Sequence, residues 1–184
     1  MAATDTMVPT ANYDPWCDDG QSDGTVCQTD NADVYYYMDS SGEFELEPVD
    51  REMVVNMFTS EYSPTDLVRH YDTNPTFSGD GETDHVWQEG SEGLDSDAIG
   101  MAWCDDEAIF SYKCDQHYIR IRGNDTYELS VTCHEMGHAV GLVHGDSTSP
   151  KRDMNDHAAL GCMVAEDYED NLGSNNVNAI NSTY

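Results

Sequence analysis

Basic charge is what this chain has least of: Lys and Arg together number 7 against 37 Asp and Glu, a formal net charge of -30. A surface so poor in cations repels phosphate backbones and anionic headgroups, which excludes nucleic acid and membrane surfaces as partners. Long apolar runs are missing too, none approaching the roughly 18 to 20 residues of a membrane span. The opening Met1-Ala2-Ala3-Thr4-Asp5 carries neither the charged nor the apolar stretch of a secretory leader. No internal repeat or long linker divides the sequence. The 184 residues suffice for one buried domain. Apolar content is that of an ordinary globular protein, so the carboxylates read as the solvated surface of a folded monomer.

Six cysteines, at 17, 27, 104, 114, 133 and 162, form two close pairs and one distant pair. An even count suits an oxidising compartment, and the chain is read as secreted. The close spacings invite Cys17 to join Cys27 and Cys104 to join Cys114, which leaves Cys133 for Cys162.

Residues 1–32, rich in Asp, Thr, Gly and Ser, read as a loop segment pinned by the first disulfide, and the organised domain as 33–184. Val34 to Met38 is aromatic and β-favouring and ends at a turn signal, Asp39-Ser40-Ser41-Gly42. Val49, Met53, Val54, Met57 and Phe58 recur at helical spacing, and Pro64 stops that helix. Strands follow at Leu67–Tyr71, His85–Gln88, Ile99–Trp103 and Tyr118–Arg122. Asp125-Thr126-Tyr127-Glu128 has the spacing of a capping box for a helix reaching about Val140, and Ser174 of a cap for a last one.

Residues four apart on a helix project from one face, so His134 and His138 aim their imidazoles at one point, as two zinc ligands do. Glu135 is rotated away from ligation and stands ready to take a proton from a metal-activated water. A catalytic zinc keeps three protein ligands and one open position, so a third ligand is required. His144 supplies it if Gly141 adopts positive φ, ends the helix and swings the chain back. Glu166 or Glu169 is the alternative, disfavoured by the spacing of His144. Hydrolysis by a zinc-activated water is the chemistry expected of such a site, with Glu135 as general base and then proton donor.

His134, Glu135, His138, Gly141 and His144 match the pattern HExxHxxGxxH, and Met163 follows in Gly161-Cys162-Met163-Val164. Together they resemble the metzincin clan of zinc metallopeptidases, with matrixins closest in layout. The resemblance implies an α+β fold: a twisted five-stranded mixed sheet with a backing helix and an active-site helix, then a small C-terminal subdomain with a methionine turn and terminal helix. It places an active-site cleft between an upper part, 33–141, and a lower part, 142–184. It implies that the bond cleaved is a peptide bond and that Met163 lies beneath the metal as a hydrophobic base. It also implies that an edge strand at Ile99, Gly100, Met101, Ala102 and Trp103 binds an extended protein or peptide substrate. Gly145 stands where matrixins carry serine and Ala165 where astacins and serralysins carry tyrosine, so no subfamily is matched.

One catalytic Zn2+ is therefore expected. Asp80, Glu82 and Asp84 lie in a loop suited to Ca2+, although a solvated loop is the plainer reading. His70, His85, His117 and His157 are read as solvated or hydrogen-bonded rather than as a second zinc site. The alternative to a secreted zinc-dependent endopeptidase is a non-catalytic zinc-binding or acidic adhesion module on a peptidase fold, which the intact Glu135 disfavours.

Overall fold

The aromatic run after Ala32 forms strand β1 (Asp33–Met38), with Val34 and Met38 buried. Helix α1 (Pro48–Asn56) continues as a π-helical turn, Met57–Glu61, and carries the chain across to β2 (Val68–Tyr71), parallel to β1. In this computed structural model the described residues are 4–8, 26–79, 81–108, 113–123, 128–165 and 169–184. The helix and its π-helical turn bury Val54, Met57 and Phe58, while Val49, expected on that face, is exposed in the first turn. Phe58 packs on Tyr36 with ring centroids 4.4 Å apart.

Strands β3 (His85–Glu89), β4 (Gly100–Glu107) and β5 (Cys114–Ile121) complete a five-stranded sheet in the order β2-β1-β3-β5-β4. All neighbours run parallel except β4, which is antiparallel to β5 and forms an edge. β4 and β5 are both longer than the sequence suggests. Their added residues are polar and acidic, but the Cys104–Cys114 disulfide and the β4–β5 ladder hold them in register.

Helix α2 (Leu129–Ala139) packs on β4 and β5, buries Val131, Cys133, Met136 and Ala139, and accepts the Tyr62 hydroxyl at the Cys133 carbonyl, 2.9 Å. Its first residue follows Glu128, and Asp125, Thr126 and Tyr127 of the expected capping box lie outside the described residues. A short helix that the sequence reading missed, α3 (His157–Leu160), leads into a 3-10 turn at Gly161–Met163. Helix α4 (Ser174–Thr183) closes the chain; Gly173, not Ser174, occupies the cap. The Cys133–Cys162 disulfide ties α2 to the turn before α4. Cys27 is also disulfide-bonded, and Cys17, its expected partner, lies outside the described residues.

Residues 4–8 pair with chain far ahead of them. Asp5 exchanges backbone hydrogen bonds with Ser149, 2.8 and 3.0 Å, the Val143 N–H donates to Thr6, and the Val8 N–H donates to Gly141. Met7 is buried in the core. No helix among the described residues is long and apolar enough to cross a membrane.

Candidate metal centre

Helix α2 ends in a Schellman motif built around Gly141, whose φ is +95°. The Leu142 N–H donates to the Gly137 carbonyl, 2.8 Å, and the Gly141 N–H to that of His138, 2.9 Å. A Cβ on Gly141 would also lie 2.6 Å from Gln28 Cγ, so both the backbone angle and the space select glycine. The turn sends the chain back along the helix and delivers His144 to the face that carries His134 and His138.

The three imidazoles converge. His134 Nε2 stands 3.0 Å from both His138 Nε2 and His144 Nε2, and the latter two are 3.2 Å apart. His134 Nδ1 donates to the Cys162 carbonyl, 2.8 Å, and His138 Nδ1 to the Leu142 carbonyl, 2.9 Å. A carbonyl only accepts, so in these neutral rings the proton is on Nδ1 and the lone pair is on Nε2. No proton then bridges His134 and His138, and two lone pairs facing each other at 3.0 Å call for a cation between them. Three nitrogens on one tetrahedral zinc stand about 3.3 to 3.4 Å apart, close to the spacing found. Outer-shell carbonyls that fix tautomer and ring orientation are what metal-bound histidines require.

Burial lowers the pKa of all three histidines. For His134 the value falls to about 4, with His144 nearby adding to the effect. His138 is pushed well down by burial and by both neighbours, and His144 is lowered by burial, opposed by Asp146. All three are neutral at neutral pH, the form in which an imidazole can bind a metal ion. They are the one group of three His, Cys, Asp or Glu among the described residues able to hold a metal ion. The alternative ligand Glu169 instead lies 3.4 Å from His157 Nδ1, and Glu166 is outside the described residues.

Glu135 does not join the three histidines, and its carboxylate lies against Gly100 of β4. It is 5 % exposed, and its Oε2 has no hydrogen-bond partner. Burial raises its pKa to about 8, against the backbone hydrogen bond from Ala102. Ile99 directly precedes β4, while Gly100, Met101, Ala102 and Trp103 belong to it; Gly100 and Ala102 lie closest to Glu135, and Trp103 stacks on Tyr118. The outer edge of β4 has no strand partner among the described residues. Met163, fully buried, sets its sulfur against Gly137 of α2, where a Cβ would collide with it. Two cavities meet at the centre, both bordered by Gly100, His134 and Glu135; the larger also reaches His138 and His144.

The other expected sites come out differently. His70 is hydrogen-bonded to Asp33, and His157 pairs with Glu169. His85 and His117, expected to be solvated or hydrogen-bonded, are buried, 0 % and 2 % exposed, and face each other across β3 and β5 with ring centroids 5.5 Å apart. The backbone of Cys27 lies against the His117 ring, while neither ring nitrogen of His85 has a hydrogen-bond partner. They were missed because strand register, not local polarity, fixes which residues face the core. In the expected calcium loop, Glu82 and Asp84 are buried rather than solvated, and Asp80 lies outside the described residues. Asp84 instead accepts the Tyr35 N–H, 2.5 Å, and burial raises its pKa to about 7.

Comparison with protein-family models and with curated proteins finds no match.

Proposed function

We propose that this protein is a secreted zinc-dependent endopeptidase of metzincin type. The observation that carries the reading is the meeting of three Nε2 atoms, two of them fixed as lone pairs by carbonyls, beside a buried carboxylate that does not join them. A structural site would be closed by a fourth protein ligand, whereas among the described residues only the three histidines converge, beside two cavities. The disulfides and the highly acidic surface suit an extracellular protein.

His134, His138 and His144 would hold the ion, and a bound Zn2+ supplies Lewis acidity that polarises a peptide carbonyl and lowers the pKa of water. The unpaired outer edge of β4 offers backbone donors and acceptors to an extended peptide, fixing the scissile bond over the histidines. Glu135 takes the proton from the attacking water and returns it to the leaving amine. Burial raises its proton affinity in the metal-free protein, and a cation nearby would draw it back down, into the range where it can accept and then donate. Met163 and the Gly137 notch keep the floor of the site apolar and rigid.

The test is proteolysis of casein or a peptide mixture by purified protein. Activity that disappears with a chelator and returns with Zn2+ supports the reading. A protein that binds zinc and cleaves nothing would instead be the non-catalytic zinc module.

A further inference from the structure

We infer that the smaller cavity beside Glu135 is a subsite for a cationic side chain, lysine or arginine, next to the scissile bond; this rests on the peptidase reading above. The cavity measures about 310 Å³. It is lined by Ile99, Val131 and Val164, the last two 3 % exposed, and by Asp97, which is exposed, and Glu169, which is half-buried, so that the acidic residues are the more solvent-accessible part of the lining. No Lys or Arg among the described residues lines it.

Asp97 is exposed, and Arg122, on the same side, spends its guanidinium on the carbonyls of Asp95 and Ala98. Glu169 accepts the Asn171 N–H at 3.3 Å and faces His157 Nδ1 across 3.4 Å, contacts that hold its carboxylate at the rim. Deeper in, the Glu135 carboxylate, 5 % exposed with an unpartnered Oε2, forms part of the wall.

An apolar shaft with an acidic mouth selects a particular side-chain shape. A leucine or phenylalanine would satisfy the walls but cover the rim carboxylates with apolar surface, stripping water from them without compensation. A lysine or arginine lays its methylene stem along Ile99, Val131 and Val164 and keeps its charged head at the wet rim, between Asp97 and Glu169. The net charge of -30 adds a long-range field that concentrates cationic peptides at the surface.

The experiment uses the full, zinc-loaded chain. A peptide library with the residues around the cut randomised is digested and the cut sites are read by mass spectrometry. Matched peptides carrying Lys or Met beside the scissile bond then give kcat/KM. Lys and Arg should be enriched at one position adjacent to the cut, with the Lys peptide favoured roughly tenfold at low salt. That ratio should fall toward one in the double variant Asp97→Asn, Glu169→Gln, whose thermal midpoint reports that it is folded. Cleavage with Met, Leu or Phe equal to or better than Lys at both adjacent positions overturns the inference and leaves the peptidase reading intact. So does a ratio unchanged in a folded double variant. Failure to cleave any peptide overturns the peptidase reading and the inference with it.

Discussion

The carboxylate of Glu135 fills the space that a side chain on Gly100 would need: a Cβ there would lie 2.6 Å from Glu135 Oε1 and 2.7 Å from its Cγ. Glu135, the proposed general base, is thus held against the edge strand by the absence of one methyl group. Gly100→Ala should push the carboxylate off its position or shift β4, costing about 1 to 3 kcal/mol of stability. The histidines are untouched by this change. Zinc content should therefore stay at the parent level while kcat/KM on casein peptides falls at least tenfold, as roughly expected for a displaced catalytic group. Parent-level activity in a folded variant would mean that Glu135 is not working from this position.

A second relationship joins the start of the chain to the third ligand. Residues 4–8 hold the segment 141–149 through backbone bonds at Gly141, Val143 and Ser149, on either side of His144. Thr4 adds a hydrogen bond from Arg152 Nε, 3.0 Å, and a two-way pairing with the Asn175 side chain. Deleting residues 1–8 should leave His134 and His138 on their helix but loosen His144. Zinc affinity, measured by competition with a chromophoric chelator, should drop about 10-fold or more, within the range seen when supporting groups of a metal site are lost. A synthetic peptide of residues 1–8 should restore part of it. Unchanged affinity would make the strap dispensable.

Burial holds the pKa of His117 down to about 3, and that of His85 well below its usual value, burial and His117 both contributing. A histidine whose folded pKa lies below its unfolded value binds fewer protons when folded. It contributes stability that is present above about pH 6.5 and is lost as pH falls toward the folded value. Asp84, raised to about 7 by burial, acts in the opposite sense, losing its contribution as pH rises from about 4 through 7. The diagnostic is thus a difference. Urea midpoints of metal-free parent and His117→Gln, taken between pH 7 and pH 4, should converge as pH falls. Parallel curves would mean that His117 does not titrate with unfolding.

The metal centre was legible because its signals are local. Helical periodicity places His134 and His138 together, and a glycine three residues after His138 and three before His144 is unneeded there unless φ is positive, as it is at Gly141. Five strands were likewise legible from short β-favouring runs such as Tyr35-Tyr36-Tyr37. What could not be read depends on partners distant in sequence. Thr4 to Val8 form a strap only because 141–149 comes to meet them, and nothing in those five residues names that partner. The polar ends of β4 and β5 lack the alternation that marks a strand, and the disulfide compensates. Glu82, Asp84, His85 and His117 are ordinary surface residues by type; the pairing of β3 with β5 and the segments packed over them bury all four.

The most direct test of the central claim is zinc content and casein hydrolysis measured on the same preparations of parent and Glu135→Ala. The three ligands and the β4 edge remain in the variant, and only the proton carrier is removed. The prediction is one zinc per chain in both proteins, with hydrolysis lost in the variant alone, by about a hundredfold or more. Hydrolysis at the parent rate by zinc-loaded Glu135→Ala would contradict the account.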